Sequence, residues 1–114
     1  MKNAPIITKI ESVHFNYVLA EVGKDYNTFN MVYEPGGKLK QSGTILRIHT
    51  DQGIIGEHPE VNEVALAEIR NVADYLIGKD ALAREFIYND LKRASRHWSG
   101  LGLSIIDVCL WDIA

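Results

Sequence analysis

The chain changes its hydrophobic period once, at Pro59, and that change limits the folds open to it. Before Pro59, β-branched and aromatic residues gather in short runs with period-2 stretches; after it, apolar residues recur about every 3.6 positions. "PIITKIESVHFNY" (5–17) reads as a strand, with a shift of apolar parity between Ile10 and Val13 that a bulge, or burial of different faces at its two ends, would explain. "TILRIHT" (44–50) reads as a second strand, Leu46 and Ile48 alternating with Arg47 and His49. "DQG" then leads into "IIGEH" (54–58), a hairpin that places Gly53 at a positive φ. These runs predict a three-stranded antiparallel sheet.

Between the first strand and that hairpin lie 26 residues, 18–43, with no convincing period of either kind. Connections this long are usually functional flaps or disordered segments. Tyr26, Phe29, Met31 and Tyr33 fall in this one, more large apolar groups than a merely solvated loop would hold.

Three helices are predicted after Pro59. In the first, Ala65, Ile69, Val72 and Leu76 share a face, Glu68 lies off it, and Gly78 suits the position just past the end. Asp80 can cap a second, with Leu82, Phe86, Ile87, Leu91 and Ala94 as its packing stripe. The third, "SIIDVCLWDIA", starts near Ser104 as a plausible N-cap and is apolar nearly all round, so it must be buried nearly all round. Three strands and two amphipathic helices cover only one side of it. The expectation is therefore a chain cut at Ala114, its missing partner C-terminal to the cut.

The 114 residues fit one domain, 1–114, of the α+β class. Net charge is −3, with Lys and Arg scattered, which argues against nucleic acid or an anionic membrane as a main partner. The single cysteine, Cys109, excludes a disulfide framework and lies too deep in an apolar run for a reactive thiol. No apolar run approaches the ~18 residues of a membrane span, and the N-terminus has no signal-peptide core, so a cytoplasmic setting is expected.

Taken in order, strand, flap, "TDQGIIGE" hairpin, helices and "SIIDVCLWDIA" resemble the N-terminal capping domain of the enolase superfamily, mandelate racemase/muconate-lactonizing branch. The resemblance rests on Thr50, Asp51, Gly53, Gly56 and Glu57 in the hairpin, and on Ile106, Asp107, Cys109, Leu110, Trp111, Asp112 and Ile113 in the closing helix. It implies a following (β/α)7β barrel of about 250 residues, with which this domain would pack. It also implies abstraction of a proton α to a carboxylate, with Mg²⁺ held by the barrel stabilising the enediolate. A sugar-acid dehydratase is the first expectation, a racemase or cycloisomerase the next, and a homo-oligomer is expected of the full-length protein. No catalytic or metal-binding residue falls in this segment, whose implied role is to close over the barrel mouth. A stand-alone interaction module, docking through Leu103–Ile113, is the reading from another class.

Tyr26, Phe29 and Tyr33 are the candidate contacts to substrate or barrel mouth; folding back on the domain's own sheet is the alternative. Lys38 and Lys40 could meet a carboxylate or hydroxyl-rich substrate, although solvated charges beside a Gly-rich turn fit as well. In "GEHPE", where the resemblance implies a second specificity loop, His58 and Glu60 are candidates alongside Glu57, with a structural hydrogen bond the competing reading of His58. Strand alternation turns Glu57 and His58 to opposite faces and makes a metal chelate there a poor fit. Asp107 in the apolar helix is expected to be paired or hydrogen-bonded.

Overall fold

The computed structural model describes residues 3–114. The elements run β1 (Ile7–Lys24), β2 (Met31–Thr50), β3 (Ile55–His58), α1 (Glu63–Leu76), α2 (Arg84–Ala94) and α3 (Leu101–Ile113). The strands form one sheet in the order β1-β2-β3, an α+β fold as predicted. The chain divides into two compact units, one of residues 1–13 with 44–114 and one of residues 14–43.

In the larger unit β2 and β3 pair antiparallel, Leu46 opposite His58, Arg47 opposite Glu57 and Ile48 opposite Gly56. The alternation expected of β2 is present: Thr44, Leu46, Ile48 and Thr50 are buried, while Arg47 and His49 lie on the other face. There Arg47 Nε meets Glu57 Oε1 at 3.0 Å and His49 Nε2 meets Glu11 Oε1 at 3.0 Å. The connecting turn carries Gly53 at φ 76, where a side chain would be strained, and Thr50 Oγ1 donates to the Ile54 carbonyl at 2.8 Å.

The buried face of the sheet, with Ile7, Leu46 and Ile48, meets Ala65, Leu66, Ile69 and Leu76 of α1 and Ile105, Ile106, Cys109, Leu110 and Ile113 of α3 in one core. Cys109 is fully buried, and burial pushes its thiol up to about 12, which makes it a packing group. Two glycines let the layers approach. A Cβ on Gly56 would stand 2.1 Å from the Cys109 carbonyl oxygen, and one on Gly102 would stand 2.8 Å from Glu68 Cβ.

α1 starts and stops where its sequence says. Asn62 Oδ1 accepts from the Ala65 amide at 2.8 Å, and Gly78 at φ 86 follows the C-cap Ile77. Asn62→Ala is expected to cost about 1 kcal/mol of stability. Urea denaturation of the two proteins side by side checks this, and equal midpoints would remove the cap from the account.

The other two helices differ from expectation. Asp80 caps a turn ahead of α2 instead of the helix itself, its Oδ1 accepting from Leu82 N at 2.8 Å and its carbonyl from Ala83 N at 3.1 Å. α2 therefore begins at Arg84 and buries only Ile87 and Leu91, leaving Leu82, Phe86 and Ala94 exposed. α3 begins at Leu101, three residues before Ser104. Gly100 at φ 86 turns the chain into the helix, Ser99 Oγ accepts from Leu101 N at 3.2 Å, and Ser104 Oγ bonds back to the Gly100 carbonyl from inside the first turn. The sheet and the other helices cover one side of α3, the side expected, and on the other Leu101, Val108 and Trp111 are exposed. The Arg84 guanidinium lies over the Trp111 ring, 3.9 Å from its centroid.

The 14–43 unit corrects the sequence reading most. The flap is a continuation of two strands: β1 runs on to Lys24, β2 begins at Met31, and only residues 25–30 form the connecting tip.

Candidate functional site

The tip is built around one carboxylate. Asp25 Oδ1 accepts from the backbone amides of Asn27, Phe29 and Asn30 at 3.1, 3.3 and 3.4 Å, and Oδ2 accepts from the Asn30 side-chain amide at 2.8 Å. Thr28 takes a left-handed φ of 65, and the Thr28 amide donates to the Asp25 carbonyl at 2.9 Å. The bond from the Asn30 side chain, with the backbone amides behind it, holds the Asp25 carboxyl below the ordinary aspartate range despite some desolvation.

The direction of that shift fixes a pH dependence. The unfolded tip takes up a proton at a higher pH than the folded one does. The cage is therefore fully present above the unfolded aspartate value, ~3.9, and is lost as pH falls through the lower folded value. Amide NMR of Asn27, Phe29 and Asn30 should show these three moving together below that value, and Asp25→Ala should give the low-pH shifts at neutral pH.

This cage carries two of the aromatic candidates, Tyr26 and Phe29, and Tyr33 follows on β2. Tyr26 is 94 % exposed, Phe29 85 % and Tyr33 77 %, so they do not fold back on the sheet. Lys38 and Lys40 are exposed on β2 of the same unit.

His58 and Glu60 belong to the other unit. His58 ends β3 opposite core-facing Leu46, half-buried, and its Nδ1 is buried with no hydrogen-bond partner among the described residues. The structural hydrogen bond weighed for it is therefore not formed through Nδ1. Glu60 is exposed and held at φ 60, a conformation a glutamate adopts only under local constraint. Glu57 points to the opposite face, paired with Arg47, and its own amide donates to Asp112 Oδ2 at 2.9 Å. Asp107, expected to be bonded, is half-buried beside Arg84, Asn89 and Trp111 in an open depression. Among the described residues no group of three His, Cys, Asp or Glu side chains could hold a metal ion. No helix is long and apolar enough to cross a membrane.

Sequence reasoning missed two polar groups. Glu68, expected off the packing face, is buried; it takes a hydrogen bond from Ser99 Oγ at 2.6 Å and one from Gly102 N at 3.3 Å. The Asp25 cage was missed too, although "DYNTFN" carries the Asp and Asn that favour tight turns.

No protein-family model and no curated protein matches this chain. Solved structures do. A D-glucarate dehydratase from Agrobacterium tumefaciens, complexed with magnesium, matches with a TM-score of 0.68 and 24% identity over 95% of this chain and 29% of its own. An enolase-superfamily member from Polaromonas sp. JS666 matches at 0.67 and 26% over 95% of this chain and 29% of its own. A mandelate racemase/muconate lactonizing protein from Herpetosiphon aurantiacus matches at 0.67 and 14% over 98% of this chain and 31% of its own. The chain thus spans about a third or less of the structures it resembles. Its three-stranded sheet and three following helices are the fold of the N-terminal capping domain of enolase-superfamily proteins, mandelate racemase/muconate-lactonizing relatives among them.

Proposed function

We propose that this chain is the substrate-capping and specificity domain of a Mg²⁺-dependent enolase-superfamily enzyme that removes the proton α to a carboxylate, with sugar-acid dehydration as its reaction. The observation that carries this reading is the pair of facts at the hairpin tip. Tyr26 and Phe29 stand in solvent on an Asp25-caged turn, Tyr33 is exposed on the strand that follows, and the fold is shared with a D-glucarate dehydratase. Exposed aromatics on an ordered turn are suited to closing over a substrate, where they would exclude water and shape the pocket. Half-buried His58, at the end of β3, and exposed Glu60 are proposed as the contacts of a second loop.

The described residues do not fit a magnesium site. Glu57 is neutralised by Arg47, and no three acidic or histidine groups converge. In this reading the ion and the proton-abstracting base belong to a barrel domain of the longer protein, and the exposed Trp111, Val108 and Phe86 are the surface that meets it. In a dehydration the base takes the α proton, the β-hydroxyl leaves as water with a proton delivered by an acid of the same site, and the resulting enol tautomerises to the 2-keto-3-deoxy acid.

The test is a screen of the full-length native protein against acid sugars, D-glucarate first, with Mg²⁺. Semicarbazone absorbance from a 2-keto-3-deoxy product, abolished by EDTA, is the expected result. Racemisation or cycloisomerisation of another carboxylate would keep the family and change the reaction. No turnover of any carboxylate, together with a stable complex of the native chain with another protein through Trp111 and Phe86, would establish the interaction-module reading instead.

A further inference from the structure

The hairpin of the 14–43 unit is not a uniform ribbon. Glu21 on β1 and Gly36 on β2 both take left-handed backbone, at φ 61 and φ 77. Glycine does so freely, whereas a residue with a Cβ is strained there and persists only where its surroundings hold it. What holds Glu21 is its own side chain: the carboxylate accepts from the Gly36 amide across the strands at 3.0 Å.

The strands are pinched at the same place. A Cβ on Gly37 would stand 2.9 Å from the Val22 carbonyl oxygen and 3.1 Å from that of Glu34. Gly23 is covered by the Glu34 side chain, whose Oε2 would lie 1.8 Å from a Cβ there. Beyond this waist come residues 24–33, with Tyr26, Phe29 and Tyr33 in solvent and the Asp25 cage around the turn.

The geometry points to Glu21 as a positioning residue: its carboxylate, hydrogen-bonded to the Gly36 amide, holds the strained bend that aims the aromatic tip. This rests on the reading of the tip as a substrate cap. A strand needs no left-handed residue at this position, and glycine would adopt the bend without strain. A glutamate carrying a cross-strand hydrogen bond is what a bend of fixed direction requires.

The test uses the full-length native protein and four variants. Hydrogen exchange is read on amides 24–34, and KM on the acid sugar turned over above, D-glucarate as first probe. Glu21→Ala and Glu21→Gly should each speed exchange there by roughly tenfold, a local opening. Both should raise KM several-fold with little change in kcat. Glu21→Gln, which keeps the acceptor oxygen, should stay near native. Glu21→Gly separates positioning from mere structure, because it relieves the strained φ while removing the hydrogen bond. If its exchange and KM match the native protein, the inference is overturned. The fourth variant, Tyr26→Ala with Phe29→Ala, tests the cap itself. Unchanged KM there would sink the capping reading, while exchange would still decide Glu21. Raised KM there with native behaviour in Glu21→Gly would sink only the role of Glu21.

Discussion

Gly56→Val is expected to remove about 3 kcal/mol or more from the stability of this fold, because α3 leaves no space for any side chain at that position. The Cβ alone would stand 2.1 Å from the Cys109 carbonyl oxygen, 3.0 Å from its carbon and 2.8 Å from Ile113 Cγ1. Two of those three atoms are helix backbone and cannot turn aside as a side-chain tip can. Relief requires β3 and α3 to separate, which would open the contact of Leu46, Ile48, Cys109 and Leu110 and break the bond from Glu57 N to Asp112. Gly56→Ala supplies the discriminating measurement. If added volume alone set the cost, one methyl would be mild; because the first carbon already collides, alanine should bring most of the loss. Thermal unfolding should then show a drop of ~4–8 °C for each kcal/mol lost. A melting temperature for Gly56→Ala within experimental error of the native protein would mean that the β3–α3 contact is looser than this geometry.

The same glycine shows how far the sequence could be read. Gly56 is part of the "TDQGIIGE" pattern, but its reason lies in Cys109, 53 positions away, and no local period reports a contact at that distance. Local signals served well where local chemistry decides. Gly53 and Gly78 take the positive φ their turns need, Asn62 caps α1, and β2 alternates from Thr44 to Thr50. They failed where two local devices compete. Asp80 is a good cap residue, but it closes a turn over Leu82 and Ala83, and Gly100 with Ser99 opens α3 ahead of the equally plausible Ser104.

The 18–43 segment failed for another reason. β1 beyond Val13 and β2 before Gly37 are almost wholly exposed. A ribbon with no buried side has no cause to alternate, so period-2 analysis finds nothing to detect. What makes it a hairpin instead is punctuation: the Asp25 cage at the tip, the left-handed Glu21 and Gly36, and glycines where backbone or side chain crosses. The candidate residues were legible as types, since three aromatics in a polar stretch call for an explanation. Their exposure was not legible, because an aromatic on an unperiodic segment could equally have turned inward.

Glu68 provides the second large effect and the clearest dependence on pH. Helical spacing places it off the packing face, yet it is buried because Gly102 brings α3 against α1 over it. Its carboxylate receives the Ser99 hydroxyl and the Gly102 amide, so it ties the turn before α3 to the middle of α1. Replacing it with alanine leaves the buried Gly102 amide without its acceptor, while the exposed Ser99 hydroxyl can turn to water, an expected loss of about 1–3 kcal/mol at pH 7. The Ser99 hydrogen bond first, then the backbone amides, lower the Glu68 pKa against the opposing effect of desolvation. A carboxyl lowered on folding binds fewer protons in the native than in the unfolded state. Its stabilisation is therefore whole above the unfolded glutamate value, ~4.3, and fades as pH falls through the lower folded value. Glu11, Asp25 and Asp90 are lowered too, so acid weakens the fold through several groups and a single stability curve cannot isolate one. The difference between the native protein and Glu68→Gln can. Glutamine keeps an acceptor oxygen for Ser99 and Gly102 but has no charge to lose, and its amide nitrogen takes the place of Oε2, which is buried without a partner. Urea denaturation should show a gap between the two proteins that is constant above pH 6 and closes toward pH 3. A gap independent of pH would mean that Glu68 holds α1 and α3 together by shape and not by its charge.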